Sequence, residues 1–246
     1  MADKYRSRFY ESRHQGTSHS AQRILSIVLD AVPRVRSAID FGCGVGTWLS
    51  ILKEDGVTDI TGMDGAWVKR ELLQIPRECF QQVDFEKPIA LDKRYDLAIS
   101  LEVAEHLQPR FAGRFVESLT SASDFIVFSA AIPFQGGKNH VNEQWPSYWE
   151  ALFKRNNYVF LDIIRKQVWN DDKISVWYRQ NTFLAVRQDR VKDLVLQDPE
   201  ALKQVNNQVD LVHPEFYFSK MNKMYTFKGS WKALRRAVKN SFKTDR

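Results

Sequence analysis

Cysteine is scarce in this chain of 246 residues, and long apolar runs are missing from it. The two cysteines, Cys43 and Cys79, are too few for a disulfide framework or a cysteine metal cluster, so we expect ordinary reduced thiols. No apolar stretch approaches the roughly 20 residues that a membrane-spanning helix needs. The first residues, MADKYR, also lack the apolar core of a secretory signal. These absences predict a cytoplasmic protein.

Most of the chain also has no excess of charge of either sign. The formal net charge is +6, and from Lys228 onward seven basic residues stand against one acid, so this tail accounts for the whole excess. A neutral body argues against a broad nucleic-acid-binding face, and we expect no nucleic-acid partner. The hydrophobic fraction of 43% indicates a globular protein with a substantial core.

Apolar periodicity predicts strands and helices that alternate along the chain. We expect helices at residues 20–32, 47–53, within 104–121 and at 145–155. We expect strands at residues 37–41, 59–64, 79–85, 95–101, 124–131, 158–168 and 175–186. This alternation predicts an α/β fold with a mostly parallel sheet, in which the last two strands can pair antiparallel.

We assign residues 1–187 to one domain that includes an N-terminal lid segment, and residues 188–246 to an appendage. The periodicity weakens in the appendage, where residues 191–205 could form a helix and residues 211–227 show no clear period.

Three glycines at alternate positions mark the turn after the first predicted strand. A short apolar run ends at Asp40, and Gly42, Gly44 and Gly46 follow at alternate positions. Glycines at this spacing let the backbone turn sharply and approach a ligand that any Cβ would push away, and the next helix directs free N–H groups at the same place. The segment therefore predicts a nucleotide-like ligand. A nicotinamide-binding turn would need a glycine at Thr47.

This Gly-x-Gly-x-Gly pattern behind an acid resembles motif I of the class I S-adenosylmethionine-dependent methyltransferases. Three further segments match that family in order: Asp64 after the second strand, Asp84-Phe85 after the third, and residues 100–107, SLEVAEHL, after the fourth. The resemblance covers about residues 20–187. It implies a Rossmann-like fold, a seven-stranded mostly parallel sheet with an antiparallel last strand, and S-adenosyl-L-methionine as cofactor.

The resemblance also implies individual roles. A carboxylate can accept two hydrogen bonds from vicinal hydroxyls, which suits Asp64 to the ribose. Asp84 would lie beside the adenine amino group, with Phe85 against the ring. The cofactor-binding residues implied in this way are Asp40, Gly42, Gly44, Gly46, Asp64, Asp84, Phe85, Leu101 and Glu102. Tyr10 and Ser20, which precede this region, could close the site or belong to a loosely docked terminus.

A closer resemblance concerns the acceptor side. Residues 128–149, 177–181 and 211–217 look like segments of a subgroup of bacterial methyltransferases associated with glycan or other cell-surface biosynthesis. This resemblance implies a small-molecule or glycan acceptor and does not define the reaction further.

For an oxygen nucleophile, the first candidate base is His140, which follows Gly136-Gly137 and precedes Asn142-Glu143, an expected helix start. Histidine titrates near neutrality and can accept a hydroxyl proton, and Glu143 could orient it or bind substrate. His140 could instead only anchor its loop.

His106 is the second candidate base. It follows Glu102 by four residues, which would place both on one helical face, and this favours a role beside the cofactor. The spacing of His106, His140 and Glu143 does not define a metal site, and we predict none.

Two groups of aromatic and apolar residues each allow two interpretations. Trp145, Tyr148 and Trp149 could form an acceptor wall or belong to the core. In the basic tail, an apolar stripe among lysines and arginines could contact an anionic membrane surface or a partner protein, or dock on its own domain. The stripe consists of Trp231, Leu234, Val238 and Phe242.

We therefore predict methyl transfer from S-adenosylmethionine to the oxygen of a small molecule or glycan. One alternative is nucleic-acid methylation, but SLEV stands where DNA amino-methyltransferases have an Asn/Asp-Pro-Pro-aromatic motif. The other alternative is a non-catalytic cofactor-binding scaffold, and the intact glycine loop and Asp64 argue against it.

Overall fold

A computed structural model describes residues 2–195 and 209–241, with side chains from residue 17 onward except for several in the last helix. The chain divides into two units at Asp210/Leu211, later than the predicted boundary at 187/188. A 3₁₀ helix, Gln188–Asp193, includes the first three residues of the helix expected at 191–205. Most of the remaining residues of that expected helix lie outside the described residues.

Seven short, largely apolar strands form one sheet in the first unit. They are β1 (Ser37–Phe41), β2 (Asp59–Asp64), β3 (Phe80–Gln82), β4 (Leu97–Leu101), β5 (Phe125–Ser129), β6 (Tyr158–Leu161) and β7 (Phe183–Arg187). The strand order is β3-β2-β1-β4-β5-β7-β6, and β7 runs antiparallel to both of its neighbours. The predicted mostly parallel sheet with an antiparallel last strand is confirmed.

Six helices belong to the first unit and two to the second, within the described residues. The six are α1 (Ala2–Ala31), α2 (Thr47–Glu54), α3 (Ala112–Ala122), α4 (Pro146–Arg155), α5 (Arg165–Val168) and α6 (Val176–Asn181). The second unit contains α7 (Pro214–Met224) and α8 (Phe227–Ser241). Within the described chain, no helix is both long and apolar enough to cross a membrane.

The sheet is covered on both faces, because successive residues of a strand point in opposite directions. In β1, Ala38 belongs to the apolar cluster that contains Leu25 of α1. Its neighbours Ile39 and Phe41 belong to a second cluster with Phe115 of α3. With both faces buried, the carboxyl ends of the parallel strands remain as the place where an open α/β sheet binds ligands.

The helix expected within 104–121 is shorter than predicted. Its first part consists of two 3₁₀ turns, Ala104–His106 and Pro109–Phe111, and α3 begins only at Ala112. Pro109 explains the interruption, because a proline lacks the N–H of a continuous helix and forces the preceding residue into an extended conformation.

Two of the predicted strands are partly helical, and here periodicity was wrong. The segment 158–168 ends as a strand at Leu161 and continues as α5. The segment 175–186 contains α6 before β7 begins. Buried polar contacts replace the expected sheet pairing in both. The guanidinium of Arg165, which is 1% exposed, binds Asp162, and the α6 residue Asn181 binds Gln135.

Candidate active site

A glycine-rich loop leads from the carboxyl end of β1 into α2. Gly42, Gly44 and Gly46 have φ angles of 89, 56 and 86°, in the left-handed region that favours glycine. A Cβ on Gly42 would lie 2.2 Å from Cγ2 of Val103, whereas a Cβ on Gly44 would meet nothing within 4 Å. Gly44 thus presents its backbone to open space, as a loop that approaches a ligand needs.

The carboxylate of Asp64, at the end of β2, fastens this loop. Its Oδ2 accepts a hydrogen bond from the N–H of Gly44 at 2.7 Å, and its Oδ1 accepts one from the N–H of Gly65 at 2.6 Å. Burial raises the pKa of Asp64, and these N–H groups offset part of that rise. The side chain of Trp67 is a third donor to this carboxylate, which leaves one of its four lone pairs for a hydrogen bond from a ligand.

Trp67 is a residue of this site that sequence reasoning missed. Its indole lies over Gly65, where a Cβ would come within 2.2 Å of the ring. A hydrogen bond from its side chain also lowers the pKa of Asp64. Trp67 is 78% exposed and offers an open aromatic face beside the end of β2. Its position just after Asp64-Gly65 is the signal that could have identified it.

A cavity of about 240 Å³ opens beside the glycine loop. Its lining comprises Thr17, Asp40, residues 42–45, Thr47, Trp48, Leu101 and Tyr178. Asp40 is 2% exposed, and its Oδ2 has no hydrogen-bond partner among the described residues. Burial, and then the nearby Asp64, raise the pKa of Asp40. A ligand that carries positive charge or donates hydrogen bonds would satisfy this carboxylate.

Glu102 follows β4 in a left-handed conformation, with a φ of 57°. Its carboxylate accepts hydrogen bonds from the amides of Gln135 at 2.5 Å and Asn181 at 3.2 Å. Burial raises the pKa of Glu102, and the amide donors lower it. Glu102 therefore does not share a helical face with His106, because the chain reverses at Glu102 and the following turn begins only at Ala104.

The loop at residues 130–145, between β5 and α4, brings His140 and Glu143 together. Nδ1 of His140 lies 3.0 Å from Oε1 of Glu143. The same carboxylate accepts hydrogen bonds from the N–H groups of Phe134 at 2.9 Å and Gly136 at 2.5 Å. Glu143 does not start a helix as expected, because α4 begins at Pro146. It instead orients the imidazole and shapes the loop.

Three residues of the 130–145 loop have left-handed backbone. Phe134, Gly136 and Asn139 have φ angles of 69, 65 and 63°. This conformation costs a residue with a Cβ about 1 kcal/mol or more. The hydrogen bonds that Glu143 accepts from Phe134 and Gly136 help to hold this conformation in place.

Glu105 is the second residue that sequence reasoning missed. It is fully buried, and neither carboxylate oxygen has a hydrogen bond of good geometry within the described residues, although the backbone N–H groups of Glu105 and Ala131 lie close enough to lower its pKa. Burial, and then the neighbouring Glu102, raise its pKa to about 9. Nε2 of His140 lies 3.9 Å from its Oε1, and the rings of His106 and His140 meet edge to face at 4.8 Å. The run Glu-Val-Ala-Glu-His is visible in the sequence, but the burial of its second glutamate is not.

Comparisons with known proteins agree with this fold. A family model described as a methyltransferase domain matches residues 12–128. This region contains β1 to β4, most of β5 and the whole glycine loop. The fold is that of the Rossmann-like methyltransferases.

Two solved structures illustrate the match to this methyltransferase fold. Magnesium protoporphyrin IX methyltransferase from Synechocystis PCC 6803, with bound S-adenosylmethionine, is 19% identical over 70% of this chain and 80% of its own, with a TM-score of 0.50. Streptomyces venezuelae DesVI is 15% identical over 75% of this chain and 97% of its own, with a TM-score of 0.53. A search of curated proteins gives no match. The matched domain supports methyltransferase activity as the general class.

Asp84 and Phe85, which were predicted to lie beside the adenine, differ in their exposure to solvent. Asp84 is exposed, accepts a hydrogen bond from the N–H of Glu86 and lies 3.5 Å from Lys87. Phe85 is 6% exposed and packs in an aromatic cluster with Phe115. That Asp84 and Phe85 contact the cofactor remains a prediction.

The two N-terminal candidates also differ. Ser20 is fully buried, and its Oγ accepts a hydrogen bond from the N–H of Ser175 at 3.3 Å, which joins α1 to the segment before α6. The side chain of Tyr10 lies outside the described residues. Thr17, one turn before Ser20, reaches the cavity.

The aromatic residues near α4 divide between core and surface. Trp149 is 1% exposed and packs against Phe128 at 5.6 Å, so it belongs to the core. Trp145 is 39% exposed and Tyr148 is half-buried. An acceptor wall can therefore include Trp145 and Tyr148 but not Trp149.

The raised pKa of Glu105 predicts a pH-dependent difference in stability. Between pH 4.5, the ordinary pKa of a glutamate, and about pH 9, Glu105 keeps its proton in the folded state and loses it in the unfolded state. The free energy of unfolding therefore falls as the pH rises through this window. Glu105→Gln has no proton to lose. We expect the free energy of unfolding of Glu105→Gln, relative to the unmodified protein, to increase from pH 5 to pH 9 in denaturant titrations. The exposed Glu117→Gln is the control, and an equal pH response of both variants would contradict a buried neutral Glu105.

Proposed function

We propose that this protein transfers a methyl group from S-adenosyl-L-methionine to an oxygen of a small molecule or glycan. The observation that carries this proposal is the glycine loop, which presents Gly44 to open space beside the unpartnered carboxylate of Asp40. The methyltransferase-domain match over residues 12–128 supports the reaction class. Neighbours of the same fold have bound S-adenosylmethionine or S-adenosylhomocysteine, which supports the cofactor.

The residues at the cavity fit this cofactor. Asp40 would receive its ammonium group, since the buried Oδ2 lacks a donor. Asp64 would accept a hydrogen bond from a ribose hydroxyl with its remaining lone pair, and a second hydroxyl could take the place of the Trp67 donor. Gly44, with no side chain in the way, would let the cofactor lie against the backbone. When bound, the cofactor supplies a methyl group on a sulfonium, and the protein supplies alignment and a base.

For the base we propose His140, with Glu143 as its orienting partner. Glu143 accepts the Nδ1 proton at 3.0 Å, which leaves Nε2 as the nitrogen that can take a proton from an acceptor hydroxyl. His106 stays the alternative base. Partial desolvation, and then His140, lower the pKa of His106, so it is neutral at physiological pH and also able to accept a proton.

The acceptor class rests on the resemblance of residues 128–149, 177–181 and 211–217 to methyltransferases of glycan and cell-surface biosynthesis. The exposed ring of Trp145 is suited to contact with a sugar or a planar acceptor. The formally neutral body of the chain supports an acceptor other than nucleic acid.

We also propose that the protein works in the cytoplasm and contacts an anionic membrane surface through α8. Trp231, Leu234 and Val238 are each at least half exposed, and basic residues surround them in the sequence. An amphipathic basic helix can bury such a stripe in the headgroup region. The fourth member of the predicted stripe, Phe242, lies outside the described residues.

Cofactor binding can be tested at Gly44. Gly44→Ala adds a Cβ that meets no protein atom within 4 Å, so apart from the backbone strain of an alanine at positive φ it would weaken binding by occupying space that the cofactor needs. We expect calorimetric titration with S-adenosylmethionine to show roughly tenfold weaker binding or more, about 1.4 kcal/mol. Gly56→Ala is the matched control, because Gly56 also has a positive φ and open space around it.

The titration also covers Asp64→Ala, which loses the carboxylate and should not bind measurably. If the unmodified protein did not bind S-adenosylmethionine, or if Gly44→Ala and Asp64→Ala bound as well as Gly56→Ala, the cofactor assignment would be wrong.

The base can be tested in an assay of labelled methyl transfer to fractionated cell-surface precursors. We expect His140→Ala to lower turnover by about 10²-fold or more while S-adenosylmethionine still binds, because general-base catalysis supplies that much. Gly137→Ala should also lower turnover, since its Cβ would lie 2.0 Å from Nε2 of His140. Gly113→Ala, with open space around its Cβ, is the control. Normal turnover of His140→Ala would rule it out as the base.

The membrane proposal predicts a charge-dependent association. The full chain should sediment with vesicles of phosphatidylcholine and phosphatidylglycerol, and not with phosphatidylcholine alone. Leu234→Asp should reduce this binding roughly thirtyfold or more, since one apolar side chain and one unit of charge each contribute about 1 kcal/mol or more. Val212→Asp makes the same change at an exposed apolar residue outside α8. Equal binding of the two variants would show that α8 is not the contact.

A further inference from the structure

Glu105, His106 and His140 form a compact group of potential metal ligands. Each offers one ligand atom, and these atoms all lie within 4.8 Å of one another. The first two residues belong to the 3₁₀ turn after β4, and His140 comes from the 130–145 loop. Two imidazoles and one carboxylate are a donor set that suits divalent first-row transition metals.

The state of Glu105 is a second observation that points to a ligand. Carboxylates are almost never fully buried unless they are paired or bind a metal. Glu105 is fully buried, and the backbone N–H groups of Glu105 and Ala131 lie near its carboxylate but leave both oxygens without a hydrogen bond of good geometry among the described residues. Its Oε1 faces Nε2 of His140 at 3.9 Å, too far for a hydrogen bond. A cation between them would satisfy the carboxylate.

The surroundings of the two histidines also fit metal binding. Metal-ligating histidines usually donate their other ring N–H to a carboxylate or a carbonyl oxygen. Nδ1 of His140 contacts Glu143 at 3.0 Å, which directs Nε2 toward Glu105. Nδ1 of His106 lies 3.3 Å from the carbonyl oxygen of Asn139, which fixes its ring.

We propose that Glu105, His106 and His140 bind one divalent transition-metal cation of the Mn²⁺, Co²⁺ or Zn²⁺ class, with coordination positions left open for an acceptor. Metal–ligand bonds of about 2.1 Å place neighbouring ligand atoms roughly 3.4 Å apart. The 3.9 Å separation of Glu105 and His140, and the 4.8 Å within which all three ligand atoms lie, would have to close to that value when a cation binds. The proposal departs from the sequence prediction of no metal, which considered spacing without the buried Glu105.

The catalytic consequence rests on the proposed methyl transfer, whereas metal binding itself does not. The Nε2 lone pair of His140 cannot hold a cation and accept a proton together. His140 would therefore act as the base only in the metal-free protein. In the loaded protein the cation would lower the pKa of an acceptor hydroxyl bound to it, and the released proton would pass to solvent.

The experiment uses the full chain after chelator treatment, titrated with Co²⁺ and followed by its visible absorption and by calorimetry. We expect one Co²⁺ per chain, a rise in Tm on binding, and a loss of affinity of at least roughly tenfold in His106→Ala, His140→Ala and Glu105→Gln. His106 is exposed, so His106→Ala keeps the test valid if the buried variants do not fold. His19→Gln, which removes an imidazole outside the group, should bind as the unmodified protein does.

Failure of this proposal is distinct from failure of the proposed function. No Co²⁺ binding, or equal binding by His106→Ala and His19→Gln, would overturn the metal site. A parallel titration of the chelator-treated protein with S-adenosylmethionine tests the cofactor separately, because Gly44 and Asp64 are not among the metal ligands.

Discussion

The hydrogen bonds between Asp64 and the backbone of Gly44 and Gly65 are the interaction on which the site depends. They join the loop after β1 to the end of β2, so that two strand ends act as one rigid edge. On the other side of the loop, Gly42 lies so close to Val103 that no side chain would fit between them. The loop is therefore fixed between β2 and the segment after β4. A backbone fixed in this way can receive a charged ligand without reorganising, which is what pre-organised binding requires.

The strands that end at this edge are also among the elements whose bounds the sequence predicted accurately. The bounds of β1 and β2 were predicted as found, because Gly42 comes directly after the last residue of β1 and Asp64 is the last residue of β2. The prediction failed where polar residues are buried. Arg165 is enclosed with Asp162, and Asn181 with Gln135, and neither enclosure has a periodicity signal. Tertiary contacts there override the local preference for strand.

The candidate site divides in the same way. The proposed cofactor side follows a motif whose glycines and acids have fixed spacing, so the sequence alone could point to Gly44 and Asp64 as candidates. The proposed acceptor side combines the 130–145 loop with the turn after β4, two segments that are separate in the sequence. Glu105 escaped notice because nothing in a sequence distinguishes a buried glutamate from a solvated one. Glu102 was placed on the wrong face because its left-handed φ breaks the assumed helix.

The left-handed residues of the 130–145 loop have a consequence for evolution. Phe134 and Asn139 keep a costly backbone shape that Glu143 and its hydrogen bonds maintain, and Gly137 leaves the space in which the ring of His140 lies. These positions constrain one another, so the loop cannot drift one residue at a time without losing its shape. Related chains are then expected to inherit the loop as a block, and acceptor preference to diversify through exposed neighbours such as Trp145.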